Sequence, residues 1–301
     1  MRVNRLGLGC AAGLIALSTY MALDTFAISD SYQNDATMMN MALFDSSQEA
    51  EAEYESEADT ERIVDSYDDG EKSVTIYEYR VYDTNVYVAD VVLSSSEYLK
   101  SAFAEGTYGK NIKAATSQIA GENGAVLAIN GDYYGARERG YVIRNGVLYR
   151  DSAAGSDVLC IYPDGKMEVV KDSDYTAQEL VEKGVWQAFS FGPGLLENGE
   201  ITVTTHEEVG RAMASNPRTA IGWVSDNHYL FVVSDGRTGD NDGLTLYELA
   251  DFMKSLGAVT AYNMDGGGSS TMVFNGELIN NPSAGGRHSR ERSVSDIVYI
   301  G

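Results

Sequence analysis

The sequence predicts an α+β fold: mainly antiparallel, hairpin-rich sheets with a few packed helices in one domain. Two observations carry that prediction. Six pairs of strand-like runs are each joined by a turn signal, and only three segments have helical patterning. The first pair, "VTIYEYRVYDTNVYVADVVL", alternates on either side of Asp83–Asn85. In "YVIRNGVLYR", "CIYPDGKMEVV", "LLENGEITV", "IGWVSDNHYLFVV" and "MVFNGELIN", Asn-Gly, Asp-Gly or Asp-Asn stands between two such runs. These dipeptides accept the positive φ of tight hairpin turns, so each pair reads as two adjacent antiparallel strands.

The helices are expected near Asn111–Ala120, near Thr176–Lys183 and, most clearly, at Thr245–Leu256. In the last of these Thr245 and Glu248 have capping-box spacing, Leu246, Leu249, Ala250 and Met253 share one face, and Gly257 supplies the stop. Two strands following helices echo each other. "GAVLAINGD" (Gly124–Asp132) and "GAVTAYNMD" (Gly257–Asp265) agree at Gly, Ala, Val, Ala, Asn and Asp. A structural pairing of the two would bring Asn130 and Asp132 out at the end of one central strand and Asn263 and Asp265 at the end of another, where pockets commonly form.

Arg2 and Arg5 precede an apolar run from Leu6 to Leu23, which reads as an export signal or an uncleaved membrane anchor spanning residues 1–29. The expected location is therefore extracytoplasmic, either secreted or held to the membrane by this segment alone. Residues 30–72 are dense in Asp and Glu and poor in Lys and Arg, the composition of a disordered acidic spacer. The folded domain is then expected to occupy 73–301. A formal charge of −23 argues against a nucleic-acid partner. With only Cys10 and Cys160 there is no disulfide framework, and Cys160, in "VLCIY", reads as a small buried hydrophobe.

The most informative stretch is "AYNMDGGGSSTMVFNG". Asp265 stands directly before Gly266, Gly267 and Gly268, followed by Ser269 and Ser270, between two apolar runs. Three glycines in succession suggest a sharp turn or a close approach by a ligand, here a nest of backbone N–H groups facing an anion beside a carboxylate. No lysine follows the glycines as in a phosphate-binding P-loop, and neither serine is framed as a nucleophile elbow. In "NGDYYG", Asn130, Gly131 and Asp132 head a turn whose Tyr133 and Tyr134 offer faces for stacking on a sugar. Arg218 begins an apolar strand and Arg237 follows Asp235 at the end of another, suiting both arginines to anion binding. The acids from Asp235 to Asp242 resemble a calcium loop only loosely and allow a structural divalent cation; no other metal or cofactor is implied. His206, His228 and His288 have no metal-ligand spacing, which disfavours zinc hydrolysis and a Ser-His-Asp triad.

The segments "LAINGDYYG", "GYVIRNGVLY", "NPRTAIGW", "VVSDGR", "LTLYELADFMKSLGAVTAYNMDGGGSSTM" and "ERSVSDIVYI" resemble, in order and composition, the phosphodiester glycosidase family, which includes the mannose 6-phosphate uncovering enzyme, an N-acetylglucosamine-1-phosphodiester alpha-N-acetylglucosaminidase. The resemblance runs from about Ser73 to Gly301, and the helix with the Asp-Gly-Gly-Gly-Ser element is its most specific part. It implies a hydrolase that splits a sugar-1-phosphodiester and, in bacterial relatives, a substrate among exopolysaccharides or cell-wall glycopolymers. Under that reading Asp265 and Asp132 are the catalytic candidates. Arg218, Arg237 and the Gly266–Ser269 amides hold phosphate, and Asn130, Gly131, Tyr133, Asp235 and Asn263 complete the substrate site. Many relatives have Asn-Gly-Gly-Phe-Phe where this chain has Asn-Gly-Asp-Tyr-Tyr, so Asp265 is the principal catalytic candidate. Two alternatives use the same residues: a glycopolymer-binding module without turnover, and a metal-dependent phosphodiesterase that breaks P–O instead of C–O.

Overall fold

All six strand pairs form hairpins; five turn where the signal stands, and the first turns at Tyr82–Asp83 (φ 48 and 51), with Asn85 already in the following strand. At Asn145–Gly146, Asn198–Gly199 and Asn275–Gly276 both residues take positive φ, as a two-residue type I′ turn requires. The structure, a computed structural model, describes residues 61–209, 215–283 and 289–301; the apolar N-terminal run and residues 30–60 of the acidic stretch lie outside them. Among the described residues no helix is long and apolar enough to cross a membrane.

Among the described residues eighteen strands, numbered in chain order and paired antiparallel, form three sheets. The large sheet has the order β1 (Arg62–Asp68), β2 (Lys72–Val81), β3 (Thr84–Leu93), β14 (His228–Ser234), β13 (Thr219–Ser225), β15 (Thr260–Asn263), β11 (Gly194–Glu197), β12 (Glu200–Ile201). The second has β7 (Val147–Arg150), β6 (Val142–Arg144), β10 (Gln187–Phe189), β8 (Asp157–Ile161), β9 (Met167–Lys171). The third has β17 (Glu277–Leu278), β16 (Met272–Phe274), β5 (Leu127–Asn130), β18 (Asp296–Ile300), β4 (Leu99–Phe103). Among the described residues three α-helices accompany them: α1 (Thr116–Glu122), α2 (Ala177–Glu182) and α3 (Leu246–Ser255).

The sheets share one core and each carries one helix on its other face. Ile76, Tyr229 and Phe231 of the large sheet meet Leu159 and Phe189 of the second and Leu127, Ile129 and Phe274 of the third. The period of two along β14 sends Tyr229, Phe231 and Val233 into this core and Leu230 and Val232 to the opposite side, against Leu249, Ala250 and Met253 of α3. That is why β14 is apolar at consecutive positions. In the same way α1 covers Ala128, Val273 and Ile297, and α2 covers Val158 and Cys160, which is buried as expected.

Capping boxes at Thr176/Glu179 and Thr245/Glu248 start α2 and α3. The first helix differs from expectation. It begins after Ala115 because Asn111 sits at φ 61 and Ala114 exchanges both backbone hydrogen bonds with Val294 (3.0 and 2.8 Å), which holds the preceding segment extended.

The domain also begins earlier than residue 73. Arg62–Asp68 forms an edge strand whose register pairs Arg62 with Glu78 and Asp68 with Ser73. Its charged residues face solvent, so composition suggested a spacer; Tyr67 nevertheless packs on the core and the Arg62 guanidinium pairs with Glu78. A chain starting at Glu71 is therefore expected to fold but to melt about 2–4 °C below one starting at Glu61, since a mostly exposed edge strand contributes on the order of 1 kcal/mol. Equal melting temperatures by calorimetry would show that β1 adds nothing.

Candidate active site

The two echoing segments occupy equivalent places in different sheets. Gly124 and Gly257 (φ 62 and 88) each end a helix, the Ala125 and Ala258 amides donate to Ala120 and Met253 of those helices, and β5 and β15 match residue for residue. Their ends come together. The Asn130 side chain donates to the Asp265 carbonyl at 2.7 Å and its oxygen accepts from the Thr219 hydroxyl (2.8 Å) and the Thr271 amide (3.2 Å). A fully buried amide thus ties β5, β13 and both ends of the Asp265–Ser270 turn. Asn263, equally buried, donates to the Gly192 carbonyl at 2.8 Å and anchors the strand that delivers Asp265.

The glycines make room for neighbours. A Cβ on Gly266 would stand 2.9 Å from the Pro217 carbonyl oxygen, one on Gly267 3.1 Å from an Arg237 guanidinium nitrogen, and one on Gly268 2.8 Å from an Arg292 guanidinium nitrogen. Two guanidiniums therefore lie directly against this backbone. The amide nest differs from expectation: the Gly267 N–H donates to Pro217 (2.7 Å) and those of Ser269 and Ser270 donate within the turn (3.3 and 3.1 Å). Arginine side chains, more than amides, supply the positive charge. Gly267→Ala, at φ 64, is expected to cost about 1 kcal/mol and to displace Arg237, so that KM rises more than kcat falls; unchanged KM would separate this residue from the site.

A pocket of about 110 Å³ is lined by Asp265, Gly266, Gly267, Arg218, Arg237 and Arg292, together with Asn216, Phe191 and Val209. Arg218 is buried in its wall: Nε donates to the Leu244 carbonyl (2.8 Å) and Nη2 pairs with Glu208 (2.6 Å). Arg237 is exposed, with Nε and Nη2 at 3.1 and 2.6 Å from Asn216 Oδ1. Arg292, also exposed, is the pocket residue that sequence reasoning missed, although it lies in the quoted "ERSVSDIVYI". Neither Arg237 nor Arg292 forms an ion pair among the described residues, whereas Arg218 does. Burial raises the pKa of Asp265, and Asp132 adds to the rise; the adjacent Ser269 hydroxyl and the charges of Arg292 and Arg137 oppose it. The arrangement places one half-buried carboxylate, its pKa raised by burial, in one pocket with two guanidiniums that form no ion pair among the described residues.

The other predicted residues have different placements. Asp132 does not line this pocket. It is buried, accepts from the Tyr134 amide (3.0 Å) and the Ser190 amide (3.1 Å), and pairs with the wholly buried Arg144 at 3.0 Å. Gly131 is required for a steric reason, because a Cβ there would meet Asp296 Oδ1 at 2.3 Å. Tyr133 is exposed, with the Lys113 ammonium 5.8 Å from its ring centre, while Tyr134 is buried and stacked on Tyr108 instead of offering a face. Asp235 accepts from the Asn281 amide (2.8 Å), and Asn280 beside it donates to the Ser270 carbonyl (3.0 Å), so it braces the glycine turn from behind; burial pushes its pKa up to about 6. The loosely calcium-like loop holds a guanidinium: Arg80 Nη1 donates to the Asp240 carbonyl (2.9 Å) and to Asn241 Oδ1 (3.0 Å). Among the described residues no group of three or more His, Cys, Asp or Glu side chains is placed to hold a metal ion.

Known proteins share this fold and part of this sequence. A family profile described as phosphodiester glycosidase matches residues 123–301. The chain belongs to the phosphodiester glycosidase family. It is 31% identical over 201 residues to the SPbeta prophage-derived uncharacterized protein YomE of Bacillus subtilis (strain 168), covering 64% of this chain and 30% of that protein. It is 42% identical over 151 residues to the N-acetylglucosamine-1-phosphodiester alpha-N-acetylglucosaminidase of Homo sapiens, covering 44% of this chain and 27% of that protein. The matches thus span about a third or less of these relatives' length. Among solved structures, the catalytic domain of the zebrafish N-acetylglucosamine-1-phosphodiester alpha-N-acetylglucosaminidase, described as auto-inhibited by its pro-peptide, superposes with a TM-score of 0.63. At 22% identity over 80% of this chain and 87% of that one, the likeness establishes the common fold.

Proposed function

We propose that this chain is a hydrolase of sugar-1-phosphodiesters, exported and acting on an exopolysaccharide or cell-wall glycopolymer. The observation that carries the reading is the single pocket in which Asp265 faces Arg237 and Arg292. Their guanidiniums receive the phosphodiester anion, with Arg218 as the buried wall behind them. Asp265 acts at the reacting centre, where a pKa raised by burial suits a proton donor to the leaving phosphate oxygen. Cleavage of the bond between anomeric carbon and oxygen adds the elements of water: hydroxyl to the sugar and a proton to the released phosphomonoester. Membership of the phosphodiester glycosidase family supports this reaction class. Export rests on Arg2, Arg5 and the apolar run Leu6–Leu23.

The test is turnover of an N-acetylglucosamine-1-phosphodiester by the purified chain in oxygen-labelled water. Release of sugar with label in the sugar is the expected result. Label in the phosphate would indicate P–O cleavage, and tight binding without release would indicate a binding module. Arg292→Lys is expected to lower kcat/KM about ten-fold, the worth of one charge-assisted hydrogen bond, because lysine keeps the charge and loses the planar fork. Wild-type kinetics would remove Arg292 from phosphate recognition.

A further inference from the structure

Behind the pocket wall lies a group of charges that the proposed reaction does not use. Arg144, on β6, has 1% relative exposure and stacks its guanidinium 4.0 Å from the Phe189 ring centre. Two carboxylates share it: Asp132 at 3.0 Å and Asp296, the first residue of β18, at 2.8 Å. All three side chains are cut off from water, so their total charge matters. One guanidinium balances one carboxylate; two ionised carboxylates would leave a net buried negative charge, which costs several kcal/mol in a protein interior.

The hydrogen bonds distinguish the two acids. Asp132 receives donors on both oxygens, the Tyr134 amide on Oδ1 and the Ser190 amide on Oδ2, with Arg144 Nη2 also at Oδ2. That is the surrounding of an ionised carboxylate. Asp296 accepts from Arg144 Nε (2.9 Å) on Oδ2, with Nη2 at ion-pair distance (2.8 Å) from the same oxygen and in hydrogen-bond geometry with neither carboxylate, whereas Oδ1 is buried without any hydrogen-bond partner, on the side where Gly131 leaves no room for a Cβ. An unsolvated, undonated oxygen is a poor place for half of a negative charge and a tolerable one for a hydroxyl.

We propose that Asp132, Arg144 and Asp296 form a charge-balanced buried triad in which Asp296 keeps its proton at neutral pH and acts as a positioning residue for the Asp265 turn. The Gly131 amide donates to the Asp296 carbonyl at 2.9 Å, and Asn130, the next residue back, holds the Asp265 carbonyl. Swelling of the triad on ionisation would therefore be transmitted to the turn that carries Asp265. The titratable and charged groups facing Asp296 are Arg144, Asp132, Asp265 and Tyr134; burial, Asp132 and Asp265 favour its acid form, and Arg144 opposes it, leaving the carboxyl pushed up to about 8. The significance of the turn rests on the proposed function, but the charge state of the triad does not.

Infrared difference spectroscopy of the whole purified chain at pH 7 tests it. Wild type minus Asp296→Asn should contain the C=O stretch of a protonated carboxyl, and in Asp132→Asn that stretch should vanish, because Arg144 then needs Asp296 as its counter-ion. A second reading follows from linkage. With a folded pKa near 8 and an unfolded one near 4, folded Asp296 binds more protons between those values, so its contribution to stability falls as pH rises through that window. Asp296→Asn should therefore flatten the decline of melting temperature from pH 4 to pH 8. A difference spectrum with ionised-carboxylate bands only, or an unchanged slope in Asp296→Asn, would overturn the proposal. Both readouts are independent of turnover, so loss of the proposed activity would neither produce nor conceal either result.

Discussion

Asp265→Asn is expected to lower kcat by about 10²–10⁴-fold with little change in KM or melting temperature. The substitution is nearly isosteric and preserves the backbone contacts of the turn, since Asn130 reads the Asp265 carbonyl and not its side chain. It removes the carboxyl group that, among the described residues, lines the pocket with Arg237 and Arg292, and with it the proton that a half-buried acid can deliver. Activity per folded molecule, with the folded fraction measured by circular dichroism, is the decisive quantity. If Asp265 were only the first residue of a tight corner, melting temperature and activity would fall together and the surviving molecules would turn over normally. A wild-type rate in this variant would remove the group on which the proposed chemistry depends most.

Arg144→Met is expected to destabilise the fold by about 3–5 kcal/mol, read as a fall in the urea midpoint at constant m. The reason is the anion it abandons. Asp132 has Arg144 as its only ion-pair partner among the described residues and almost no access to water. Methionine fills the space between Phe189 and the carboxylates but compensates nothing. The double variant Arg144→Met/Asp132→Asn removes both charges and is expected to recover more than half of the loss, because the cost comes from an unpaired buried charge and not from missing volume. Additive losses in the double variant would show instead that packing around Arg144 dominates.

What the sequence by itself determined is what short stretches of backbone can encode. Asn-Gly and its relatives closed five of the six expected hairpins, because a tight turn is decided by the φ of a few adjacent residues; the first closed instead at Tyr82–Asp83. Thr176/Glu179 and Thr245/Glu248 started their helices, because a capping box closes within four residues. The echo between Gly124–Asp132 and Gly257–Asp265 was legible for the same reason, each copy being one helix stop and one buried strand. The glycine run announced a close approach, and Asp265, Arg218 and Arg237, which stand at strand ends beside it, line one pocket.

Only the tertiary structure decided what approaches those glycines and what Asp132 does. Arg144 and Asp296 are 152 residues apart, and nothing near either one marks the partner. In "VIRNG" an arginine beside a hairpin turn reads as solvated, yet β6 lies between β7 and β10 with all three of its residues buried, so its side chain must find carboxylates. Asp132, adjacent to a turn and matched to Asp265 by the echo, looked like a second catalytic acid. The third sheet brings it to Arg144, outside the pocket that Asp265 lines, where a low-dielectric interior compels pairing. Arg292 reaches the site because β18 runs beside β5 and carries the segment before it to the glycine turn. Local sequence specifies hydrogen bonds that close over a few residues; the neutralisation of buried charge is settled only when distant strands meet.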